Sequence, residues 1–155
     1  SLIGAEGNGW NQVTAELAYE RSGPERWLST YALVDAVARL LQDAASEAQL
    51  AAFGRLLAQL MALRQMSIAV AVTLQQGATP NVEAAVVKSL ATTFEQDLVR
   101  TLRDIACDGR LLERAGAERA AALLNHAVLW SPAFTIRGGT TEIMRGIIAR
   151  GLNLR

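Results

Sequence analysis

Residues 46–75 read SEAQLAAFGRLLAQLMALRQMSIAVAVTLQ, and their spacing decides the fold class. Leu50, Phe53, Leu57, Leu60, Met61 and Leu63 recur at three- and four-residue intervals, the period of a helix with one apolar side. From Ile68 to Leu74 the segment is apolar almost all round, so it predicts burial on most sides, in the core or under another subunit. Ser46-Glu47 opens the helix and Gln75-Gln76-Gly77 stops it.

The same period extends in both directions. Upstream, Gly7-Asn8-Gly9 is a turn signal and Asn8 a candidate cap. Trp10, Val13, Leu17 and Ala18 then mark a first helix. Gly23-Pro24 interrupts it, with Pro24 suited to the first position of a second helix marked by Tyr31, Leu33, Val34, Val37, Leu40 and Leu41. Downstream, Thr79-Pro80 restarts the chain, with Thr79 as the candidate cap, Pro80 at the first helical position and Glu83 in the first turn. The stripe Val87, Leu90, Ala91, Phe94, Leu98, Leu102, Ile105 runs to about Cys107. Leu111–Leu129 is a weaker helical pattern broken by Ser131-Pro132. Gly138-Gly139 forms a turn, and Thr140 or Thr141 caps a last helix from about Glu142 to Arg150. Period-two alternation is not sustained anywhere. The expectation is one all-α domain over 1–155, an up-and-down four-helix bundle.

Composition agrees. The 155 residues are 51% apolar and 19% charged, enough apolar material for one core, and aromatics are only 5%. Fifteen basic and fifteen acidic side chains balance, without the surplus that nucleic-acid binding calls for. The single cysteine, Cys107, cannot make an internal disulfide and is expected to be a small buried residue in a reducing compartment. Uninterrupted apolar runs fall short of a membrane span and the N-terminus lacks a signal-peptide pattern, so a cytoplasmic location is expected. His126 is the only histidine, which leaves metal ligation and triad chemistry without partners. Its expected place is a partly exposed helix position.

The segment Gly138-Gly139-Thr140-Thr141-Glu142-Ile143 carries more chemical information. Two residues without side chains precede hydroxyls and free amides at a helix N-terminus, an arrangement that can hold a flat or anionic ligand through the main chain. An ordinary glycine turn with a threonine cap has the same sequence signature.

Three stretches together resemble the C-terminal third of the acyl-CoA dehydrogenase family. Ile3-Gly4-Ala5-Glu6-Gly7-Asn8-Gly9-Trp10 is similar to its G-x-E-x-x-G-W passage, and Leu17-Ala18-Tyr19-Glu20-Arg21 to its L-x-x-E-R stretch. Ile136 to Arg150 is similar to its closing GGT-x-EI-x-R-x-x-I-A-R. The resemblance implies α,β-dehydrogenation of an acyl-CoA thioester, with a carboxylate taking the α-proton and FAD the β-hydride, in fatty acid or lipid catabolism. Many relatives carry the base immediately before Gly-Thr, a position that is Gly138 here. Another branch carries it in the E-R pair, which makes Glu20 the candidate catalytic base, with Glu16 a weaker one. The resemblance also implies substrate contacts from Arg21 and Gly139 and FAD contacts from Thr140, Thr141 and Glu142, with no metal.

Two departures bear on assembly. The family's cation three residues before Phe-Gly is Leu50 here, ahead of Phe53-Gly54, and its Gly-Gly-x-Gly-Tyr loop is missing. Both normally serve FAD contacts between subunits. The implied partners are an acyl-CoA, further subunits in a homo- or hetero-tetramer, and an electron-transfer flavoprotein or similar acceptor. The implied whole is a longer flavoenzyme with an N-terminal helical and a middle β domain, and the 155 residues alone are expected to be inactive. The alternatives are a non-catalytic partner subunit and a helical interaction module.

Overall fold

The computed structural model describes residues 2–42 and 45–154. They form six α-helices: α1 (Gly9–Ser22), α2 (Tyr31–Leu41), α3 (Glu47–Gln75), α4 (Asn81–Cys107), α5 (Glu118–Trp130) and α6 (Thr141–Gly151). Short 3₁₀ turns occupy Pro24–Arg26, Asp108–Glu113 and Ser131–Ile136. Among the described residues there is no strand. The all-helical bundle is what the sequence predicts, with α3 and α4 as its two long members.

α3 begins where Ser46 and Gln49 cap each other. The Gln49 amide donates to Ser46 Oγ at 3.2 Å, and the Ser46 amide donates to Gln49 Oε1 at 2.9 Å. The Gln49 side-chain nitrogen also donates to the carbonyls of Ile105 and Asp108, which ties the start of α3 to the end of α4. Gly77, with φ of 81°, takes the left-handed turn after α3, and its amide bonds the Leu74 carbonyl. The short connection folds α4 back against α3.

α4 is the centre of the fold, packed by α1, α3 and α6, with α2 and α5 paired at its far end. Phe94, Leu98, Leu102 and Ile105 of α4 meet Leu33, Val37, Phe53 and Leu56 in the main core. A smaller cluster joins Ala18, Val70, Ala84 and Val87 under α1.

Several local expectations are corrected. Asn8 does not cap α1; its side chain accepts from Asn11 instead. Pro24 starts a 3₁₀ turn, and α2 begins only at Tyr31. The segment between is held out of helix by its anchors, since Arg26 bonds the Glu20 carbonyl and the Ser29 amide bonds Glu95. Pro80 stands one position before α4 and not inside it, and the Thr79 carbonyl receives the Asn81 amide. Cys107 is exposed, because it lies on the outer side of the last turn of α4.

The second half of α3 is only partly buried within the single chain. Val70 and Ser67 are buried, but Ile68 is 42% and Val72 47% exposed. By length and composition α3 could cross a membrane. Core helices meet the same criterion, and Phe53, Leu56, Leu63 and Val70 of α3 are packed inside the bundle while Arg55 and Arg64 interrupt its apolar run.

Candidate functional site

The last turn of α1 and the loop before α6 meet over the middle of α4. Gly138 has φ of 69° and Gly139 of 107°, a region where only glycine is unstrained. Thr140 then caps α6, its Oγ1 accepting from the Ile143 amide at 3.4 Å. The threonine cap expected from the sequence is therefore present.

The Gly138-Gly139 loop is tied down from beneath. Arg21, itself buried, donates from Nε to the Gly138 carbonyl at 3.1 Å. Lys88 of α4 donates to the Thr135 carbonyl at 3.0 Å and to the Gly139 carbonyl. Between these anchors the Arg137 side chain reaches Glu95 of α4 at 2.5 Å and stacks on Phe134. The segment 135–139 is thus a strap held from beneath through the carbonyls of Thr135, Gly138 and Gly139 and the side chain of Arg137.

Glu20 stands at the exposed edge of the same place. Its carboxylate pairs with Arg26, which also bonds the Glu20 carbonyl, so a buried guanidinium holds both ends of the residue. A Cβ added at Gly138 would come within 3.2 Å of Glu20 Oε1. The carboxylate therefore occupies the space into which a side chain at 138 would project. At Gly139 an added Cβ would meet Met144 Cε at 2.9 Å. The loop presents bare main chain: its positive φ at both positions favours glycine, and a Cβ would crowd Glu20 at one and Met144 at the other.

Glu20, Arg21, Gly138 and Gly139 line one cleft of about 670 Å³ with Trp10, Val13 and Leu17 of α1 and Ile143, Ile147 and Arg150 of α6. Three of the predicted site residues, Glu20, Arg21 and Gly139, are brought together there. Thr140, Thr141 and Glu142 follow directly into α6 but are not part of this lining. Glu142 is an exposed first-turn carboxylate. Bonds from its own backbone amide and the Thr140 hydroxyl hold its carboxyl below the usual range. Glu16 lines an adjoining depression with Tyr19, and Val13, Leu17 and Glu20 border both.

The electrostatics are dominated by buried cations. Burial pushes the Arg21 guanidinium below its ordinary value, opposed by neighbouring Glu20. Burial, and then Arg26, Arg21 and Arg137, push the Lys88 ammonium down to about 8. Burial raises Glu95 despite its bonds to Ser29 and Arg137, so desolvation outweighs pairing there.

Arg26, Lys88, Glu95 and Arg137 went unread in the sequence. Lys88 is the only lysine in the chain and sits among Ala84, Ala85, Val87 and Ala91, a signal that could have been taken up. His126 stacks at 5.7 Å on Trp130 and lies on a different cavity, and no group of three metal-ligating side chains exists among the described residues.

A half-exposed carboxylate beside a bare main-chain loop, at the head of an apolar cleft, can take a proton from a carbon acid laid along the loop. Residues 7–153 match the family described as acyl-CoA dehydrogenase, C-terminal domain. No curated protein matches the chain.

Proposed function

The chain belongs to the acyl-CoA dehydrogenase family through its C-terminal domain, and on that premise we propose that it serves an FAD-dependent enzyme oxidising an acyl-CoA thioester, with Glu20 as the base. The observation that carries this reading is the 3.2 Å approach between Glu20 Oε1 and the position of a Cβ on Gly138. A carboxylate on α1 can thereby serve the same space as one carried at 138.

Glu20 takes the α-proton as the α C–H bond breaks, and its carboxylate becomes a carboxylic acid. The β-hydride leaves with its electron pair, and the α and β carbons become doubly bonded. FAD, when bound, supplies the two-electron acceptor for that hydride. The loop fits such a flat group, since Gly138 and Gly139 offer main chain without side chains. Thr140, Thr141 and Glu142 would hold FAD at the start of α6, and Gly139 and Arg21 the substrate. The apolar walls Val13, Leu17, Ile143 and Ile147 would exclude water from the acyl group.

Within this proposal the 155 residues are one domain of a longer cytoplasmic enzyme whose N-terminal helical and middle β domains complete the site. Its electrons would pass to an electron-transfer flavoprotein or similar acceptor. Its subunits associate through the exposed apolar side of α3. A non-catalytic partner subunit is the second reading, favoured by the Glu20–Arg26 pair, which gives Glu20 a structural role as well.

The test is anaerobic reduction of flavin in the full-length protein mixed with acyl-CoA, followed by absorbance. Glu20→Gln is expected to slow reduction by a factor of about 10² to 10⁴, the usual contribution of a positioned base. Full flavin reduction by that variant excludes Glu20 as the base.

A further inference from the structure

Lys88 is fully buried in the first third of α4, with an ammonium that has no carboxylate within ion-pair distance among the described residues. Taking such a charge out of water is costly unless its donors are used. They are used on two carbonyls, those of Thr135 and Gly139, at either end of the strap that carries the glycine loop. A shortened side chain would reach neither. Arg21 holds the carbonyl between them, at Gly138.

We propose that Lys88 is a positioning residue: by tying both ends of the strap 135–139 to α4, it keeps the bare Gly138-Gly139 loop against the Glu20 carboxylate. The inference rests on Glu20 being the base.

The clamp is sensitive to its own charge. The charged groups acting on Lys88 are Arg21 of α1, Arg26 of the following turn, Arg137 of the strap and Glu142 of α6. With burial and three guanidiniums against one carboxylate, the ammonium gives up its proton near pH 8. The neutral amine still donates, but without charge assistance its bonds are about half as strong. The loop then loosens and Glu20 loses its alignment.

Three forms of the full-length protein test this: wild type, Lys88→Arg and Lys88→Met. In wild type, flavin reduction is expected to fall as pH rises through about 8. Lys88→Arg keeps its charge over that range and is expected to lose this alkaline limb. Lys88→Met is expected to lower kcat about 10²-fold with KM little changed, the scale of a misplacement of roughly 1 Å. A limb that persists in Lys88→Arg, or a folded Lys88→Met with wild-type kcat, overturns the proposal.

A readout without turnover separates this idea from the assignment of the base. With ¹⁵N-glycine and ¹³C-lysine labels, the Gly138 and Gly139 amide signals are expected to titrate together with the Lys88 Cε signal. Glycine signals that stay still while Lys88 titrates overturn the proposal, even where Lys88→Met fails to fold. Conversely, glycine signals that follow Lys88 while Glu20→Gln retains full flavin reduction support the clamp and sink only the base.

Discussion

α3 and α4 are neighbours of similar length that reverse each other's chemistry. α3 is the more apolar, yet Leu50, Leu57, Met61, Ile68 and Val72 remain between 39% and 64% exposed. Their spacing alternates seven and four residues, so they form one stripe along the outer side of the helix. α4 carries Lys88 and Glu95, and both are fully buried. The comparison teaches that burial here follows position in the bundle and not hydropathy. α4 is surrounded by α1, α3 and α6, so every side chain facing inward must find partners there. α3 is covered on one side only.

The charges inside α4 are therefore the place to break this contrast. Glu95 accepts from the Ser29 amide and hydroxyl and from Arg137. Glu95→Ala removes one side of a buried network and is expected to cost about 3–5 kcal/mol in urea unfolding. A loss below about 1 kcal/mol would mean that the network contributes little to the fold. Replacing Glu95 also removes the ion pair of Arg137, leaving the middle of the strap held by its contacts with Glu25, Ser29 and Phe134.

A smaller effect follows from pH. The folded Lys88 has a pKa near 8 against an ordinary 10.5, so between those values the unfolded chain binds more protons than the folded one. The sign is then that stability rises as pH climbs from about 8 toward 10.5, because the buried ammonium is no longer a burden. Lys88→Met should flatten that rise in thermal melts of the two proteins across this range. An equal rise in both would assign it to other groups.

The smallest effect on the fold is expected on α3. Ile68→Ser together with Val72→Ser changes two exposed positions and should leave each contribution to stability within about 0.5 kcal/mol. The same pair should lower the mass measured by sedimentation if the stripe is where subunits meet. An unchanged mass would place the interface elsewhere.

Much of the fold was legible in the chain because helical period survives any arrangement of the helices. The bounds of α3, Glu47–Gln75, follow from Ser46 and Gly77, and the cap at Thr140 from the two glycines ahead of it. Pro24 and Pro80 were harder to read. Proline permits a helix start without requiring one, and tertiary anchors on Arg26 and Ser29 delay α2 to Tyr31. Cys107 was misread because cysteine is buried on average, while the last turn of α4 happens to face out.

For the site the division is sharper. The order of residues is enough to single out Glu20, Arg21 and the Gly138-to-Arg145 segment as a motif set, because local spacing and residue type carry that signal. That Glu20 and Gly138 share one space, 118 positions apart in the chain, is decided only by packing on α4. The clamp of Lys88 and Glu95 belongs wholly to the tertiary structure. A lone lysine in an apolar stripe has no partner within its own helix, and its two carbonyls come from a segment about fifty residues away. Helical period is a local property that a sequence displays directly, whereas the satisfaction of a buried charge is a property of whatever the fold brings to it.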